Sequence, residues 1–144
     1  MNKKIDIRGN YKRRVLNFNS NILYQNLPYV DVVLKNIETS NTTDTTQEFL
    51  VDTGASISIL NIKYEEFLKD IPIIDYLNIQ YGGGRQKKLP VYRIGIIIKG
   101  IAFEINAAYD GTIPFNLLGH FSFFDNLSYL LFDSAANQLR MIKT

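Results

Sequence analysis

Apolar residues along this chain alternate or come in short runs, which favours strands over helices. After Pro28, the stretch Tyr29-Val30-Asp31-Val32-Val33-Leu34 alternates as a half-buried strand should, and a Thr/Asn-rich segment over 38–46 reads as a hairpin loop. Phe49-Leu50-Val51 is apolar on both faces, which implies a buried strand, and Ile57-Ser58-Ile59-Leu60 gives another short one. Asn61 is placed to cap a short helix over 62–68, with Glu65 and Glu66 in its first turn and Pro72 beyond its end. Strand patterns at 77–81 and 91–98 flank Gly82-Gly83-Gly84 and a basic tip, Arg85-Gln86-Lys87-Lys88, so the pair reads as a long hairpin with a glycine-rich turn. Further apolar runs cover 101–105 and 114–118, a short helix is expected over 119–124, and a hairpin joins 129–133 to 138–142. The expectation is a mostly β chain with one or two short helices. Residues 1–27, basic and asparagine-rich, read as an arm or edge strand, which leaves 28–144 as one domain.

Composition narrows this picture. With 144 residues there is room for one core, and 46% hydrophobic residues are enough to build it. A net charge of +2 gives no electrostatic footprint for nucleic acid, and the clusters Lys12-Arg13-Arg14 and 85–88 come with no recognition motif. The chain has no cysteine and a single histidine, His120, which excludes disulfides, a thiolate nucleophile and any multi-histidine metal site. No metal or other cofactor is expected. No apolar run is long enough to span a bilayer and the N-terminus lacks a signal-peptide core, so a soluble cytoplasmic protein without membrane partners is expected. The Asn-x-Ser/Thr matches at Asn41 and Asn126 then carry no weight. The glycine triplet is not a phosphate loop, because no Gly-Lys-Ser/Thr follows it.

The chemistry centres on Asp52-Thr53-Gly54. A buried strand delivers this carboxylate rigidly, Gly54 permits close approach of a substrate backbone, and Ala55 stays small for the same reason. The Thr53 hydroxyl is placed to lock one loop to another. Two carboxylates sharing one proton around a water hydrolyse peptides: one takes the water's proton and the other holds the substrate carbonyl. Asp-Thr-Gly also suits a simple surface turn, and that reading stands beside the catalytic one.

The stretch from Phe49 through Leu60 resembles the active-site strand and loop of retropepsin-type aspartic proteases, the single-domain class. The resemblance runs from about Pro28 to Ile142. It includes a glycine-rich hairpin where that family has its flap, and Asn116-Leu117-Leu118-Gly119-His120, which is similar to its second signature. It implies a small closed acid-protease barrel with a flap hairpin, an aspartic endopeptidase activity on polypeptides, and a homodimer. Asp52 would be the catalytic residue, with Thr53, Gly54 and Ala55 as the supporting loop. Gly82, Gly83, Gly84 and Arg85 would form the flap, and Ile113, Pro114 and Leu117 the apolar pocket walls. There is no second Asp-Thr/Ser-Gly, since Asp133-Ser134-Ala135 lacks the glycine and Asp110-Gly111-Thr112 has another order. The dyad therefore requires a second copy.

The chain departs from the retroviral pattern at Ser56 and His120, where those members usually pair an Asp with an Arg. His120 then reads as a structural hydrogen-bonding residue rather than a pH-sensitive contact. The basic tip at Arg85, Lys87 and Lys88 reads as solvated, or as a selector of acidic substrates. Two other classes remain open: a catalytically silent module of the same fold that binds peptides or dimerises, and a monomeric small-ligand barrel with an accidental Asp-Thr-Gly.

Overall fold

The computed structural model of the chain describes residues 4–18, 21–81 and 83–144, and for residues 14–25 the backbone alone. The strands are β1 (Ile5–Phe18), β2 (Asn21–Lys35), β3 (Gln47–Val51), β4 (Ser58–Leu60), β5 (Ile73–Gln80), β6 (Gln86–Ile98), β7 (Ile101–Tyr109), β8 (Asn116–Leu118), β9 (Tyr129–Asp133) and β10 (Gln138–Lys143). One short helix, α1 (Glu65–Leu68), follows a 3-10 turn whose Asn61 cap accepts from the Lys63 backbone N–H.

The strands form one sheet in the order β5-β6-β7-β4-β8-β3-β2-β1-β10-β9, and an additional β6–β2 pairing closes it on itself. The resulting ring has six strands, β2-β6-β7-β4-β8-β3, with two parallel pairs, β3–β8 and β4–β7. Closure follows from β6 being long enough to serve two neighbours: residues Val91 to Ile98 pair with β7, while Gly95 to Ile97 also meet β2. The mostly β chain expected from the alternation, and the closed barrel that the resemblance implied, are the observed architecture.

Alternation decides what the barrel encloses. Val30, Val32 and Leu34 from β2 and Ile94, Ile96 and Ile98 from β6 are buried, while Asp31, between the two valines, and Arg93, just before Ile94, face outward. Phe49, Val51, Leu60, Ile105 and Leu118 complete this core. Each such aliphatic side chain contributes about 2 kcal/mol by leaving water. A second apolar cluster, Ile57, Ile59, Ile79, Leu89, Val91, Ala108 and Leu117, lies apart from the first.

β1 lies between β2 and β10, Ile7 joins the main core, and the boundary drawn at 27/28 falls inside β2. The helix expected over 119–124 does not form. His120 and Phe121 donate their backbone N–H groups to Ala55 O (3.0 Å) and Ser56 O (2.8 Å), and Ser122 takes a left-handed backbone (φ 64°), so helical bonding stops there. Only a 3-10 turn, Phe124–Asn126, follows.

Candidate active site

Asp52 sits one residue past the end of β3, where the parallel partner β8 fixes its backbone. Leu50 and Val51 lie in register with Leu117 and Leu118, and the Asp52 N–H donates to Leu118 O at 3.1 Å. The loop then turns back on the carboxylate. Gly54 N–H donates to Asp52 Oδ1 at 2.9 Å, and Ala55 N–H donates to Asp52 O at 3.1 Å. These contacts hold the Asp52 side chain half-buried, while Thr53 and Gly54 face solvent.

A second layer braces the loop from the far side. His120 Nε2 lies 2.8 Å from Thr53 O. The Gly119 N–H donates to the buried Ser58 Oγ at 3.0 Å. Gly119 admits no side chain: a Cβ there would stand 2.6 Å from Ile57 C and 2.8 Å from Ala55 O, both backbone atoms. His120 is thus built into the loop, as a structural reading of it required. Ser58 was not singled out by sequence; a serine among isoleucines at 57–59 is the only local signal.

Asp52, Gly54, Ala55 and Ser56 line a cleft of about 200 Å³ whose other walls are Ile57, Ile59, Ile79, Gln80, Tyr81 and Leu117. Asp52 is the one carboxylate among these lining residues. Of the pocket residues named from sequence, Leu117 lines the cleft and Ile113 packs on the apolar cluster beneath it. Pro114 faces a separate hollow, with Leu50, Phe115 and Asn116.

The β5–β6 hairpin contributes Ile79, Gln80 and Tyr81 to this cleft. Gly83 and Gly84 have φ of +86° and +79°, which a glycine adopts without steric cost, and Tyr81 N–H donates to Arg85 O at 2.8 Å to close the turn. Arg85 is exposed; Gly82 lies outside the described residues. Just below the hairpin's tip, Tyr81 Oη (2.7 Å) and Lys87 Nζ (3.2 Å) both reach Asp110 Oδ2. Burial raises the Asp110 carboxyl, but hydrogen bonds from Thr112, Tyr81 and Lys87 outweigh it and bring it down to about 2. Among the described residues, no group of three or more acidic or histidine side chains is placed to hold a metal ion, and no helix is long and apolar enough to cross a membrane.

No family model matches the sequence, and no curated protein matches it. Solved structures do. A retropepsin-like aspartic protease from Rickettsia conorii is similar with a TM-score of 0.62 and 17% identity, over 98% of this chain and 93% of that one. EIAV protease, complexed with the inhibitor HBY-793, is similar with a TM-score of 0.51 and 24% identity, over 65% of this chain and 82% of that one. At such identities the likeness establishes the backbone arrangement alone. The chain has a retropepsin-like fold.

Proposed function

We propose that the protein is an aspartic endopeptidase that works as a homodimer, with Asp52 of each copy forming the catalytic pair. A water held between the two carboxylates loses a proton to the ionised one and its oxygen bonds to the scissile carbonyl carbon, while the other, protonated carboxyl donates to the carbonyl oxygen. The tetrahedral intermediate then breaks its C–N bond as the proton taken from water passes to the leaving amine, and the carboxyl product returns the other proton to the pair. Two carboxylates this close share one proton, so the pair titrates as a unit.

The observation that carries this reading is Asp52 itself. A lone, half-buried carboxylate stands on a braced loop at an apolar cleft, and no second acidic side chain lines that cleft. A structural turn has no use for so much bracing behind a single exposed Asp-Thr-Gly. In this reading Thr53, Gly54 and Ala55 hold the loop and the substrate backbone. The turn over Gly82, Gly83, Gly84 and Arg85 acts as a flap on an extended peptide, Ile113 supports the apolar walls, and Pro114, in its separate hollow, takes no part in them.

The test is a peptide-library digest with wild type and Asp52→Asn, alongside the mass in solution. Cleavage that vanishes in the variant supports the proposal. Cleavage unchanged in the variant, or an active enzyme that is strictly monomeric, rejects it.

A further inference from the structure

Asp110 is a buried carboxylate, and through Oδ2 it ties the β5–β6 hairpin to the barrel. Its residue is 3% exposed. Oδ2 accepts from Tyr81 Oη at 2.7 Å and from Lys87 Nζ at 3.2 Å; Oδ1 accepts from the Thr112 N–H at 2.9 Å and from Thr112 Oγ1 at 2.7 Å. Its own backbone N–H donates to Leu60 O at 2.9 Å, which bolts the 110–112 turn to the end of β4. Lys87 Nζ also meets Thr112 Oγ1 and stands 5.5 Å from the centre of the Tyr81 ring.

Tyr81 and Lys87 flank the glycine turn, one on each side, so a single carboxylate grips both strands of the hairpin just below its tip. A buried carboxylate left without its cation or its donors is strongly unfavourable, so the grip holds as a unit. Tyr81 also forms part of the cleft wall opposite Asp52's loop. We propose that Asp110 is a positioning residue: through Tyr81 and Lys87 it latches the flap to its own subunit and so sets how the cleft receives a peptide.

This rests on the protease reading for its purpose, though not for its geometry. All the latch residues belong to one chain, so the flap is held before a second copy arrives. The tip at Gly83 and Gly84 lies outside the latch, and a Cβ added at either would meet no atom within 4 Å. The latch also engages Lys87 with its own subunit, which leaves Arg85 and Lys88 as the tip's outward charges. A substrate meets a less basic flap than the sequence advertises.

The test compares full-length wild type with Tyr81→Phe, Lys87→Met and Asp110→Asn by amide hydrogen exchange. The first two substitutions keep the packing bulk, and decide the matter should Asp110→Asn fold poorly. The latch predicts about ten-fold faster exchange across residues 79–89 in both, with other strands unchanged. It also predicts a KM raised about five-fold with kcat within about two-fold, and little further effect on combining Lys87→Met with Tyr81→Phe. Hairpin amides that exchange at the wild-type rate, or a uniform rise across the whole chain, would overturn it. Exchange is read whether or not peptide is cleaved, so an inactive wild type would count against the protease reading alone.

Discussion

His120 donates through Nε2 to the carbonyl oxygen of Thr53 at 2.8 Å, so the only histidine in the chain is spent on holding the middle residue of Asp-Thr-Gly. A carbonyl accepts only, which fixes the Nε2–H form of the ring. Its edge rests on Phe124, with ring centres 5.4 Å apart.

His120→Ala should therefore loosen the loop without touching substrate. The expected loss is about 1 kcal/mol in urea unfolding and about ten-fold in kcat, because a misplaced carboxylate slows the reaction steeply. His120→Gln, which retains an N–H donor, should recover most of both. Equal activity in wild type and His120→Ala would show the tie to be idle.

Two glycine substitutions should behave differently. Gly119→Ala drives a Cβ into the backbone of Ile57 and Ala55, and flexible side chains cannot yield there. The expected destabilisation is about 3 kcal/mol, with loss of activity from the shifted loop. Gly84→Ala meets no atom within 4 Å and incurs only the left-handed backbone cost at φ +79°, about 1 kcal/mol. Chemical denaturation of both variants measures the contrast.

Asp110 gives the fold an acid-sensitive component. Its carboxyl sits at about 2 in the folded chain, below the ordinary 3.8. The folded state therefore holds its charged form more strongly than the unfolded state does. That stabilisation is complete above about pH 4 and disappears as pH falls through 2; the difference corresponds to about 2 kcal/mol. Wild type should lose stability more steeply than Asp110→Asn between pH 4 and pH 2, as followed by thermal melts. Parallel curves would contradict the assigned cause.

Tyr64 makes the opposite prediction. The residue is 2% exposed and packs on Phe49, and its hydroxyl finds no hydrogen-bond partner among the described residues. Burial pushes its ionisation well above the ordinary range. Tyr64→Phe removes an unmet polar atom and keeps the ring, so stability should rise by about 1 kcal/mol. A loss of similar size would mean that the hydroxyl has a partner.

Much of this was legible in the sequence because it is local. Alternation at 29–34 and 94–98 announced the barrel strands, and Phe49-Leu50-Val51 announced a buried strand that delivers Asp52. Asn61 announced a cap. What stayed hidden depends on distant pairing. The neighbours of β1 were hidden because its partner β10 lies at the other end of the chain. Residues 119–124 looked helical because nothing local shows that their N–H groups go to Ala55 and Ser56. Asp110 was noticed only as a failed copy of the Asp-Thr-Gly order. Its role comes from Tyr81 and Lys87, brought to it by the pairing of β6 with β7. Ser58 and Gly119 meet across 61 residues, a contact that no window of sequence contains.

The central claim is that one chain carries half a site. The most direct measurement holds wild type at fixed concentration and adds increasing Asp52→Asn, with peptide cleavage as the readout. If a second copy must supply the other carboxylate, mixed dimers are inactive. Activity should then fall to about half at equal amounts and about a tenth at ten-fold excess. Cleavage that stays constant at every ratio would contradict the shared site.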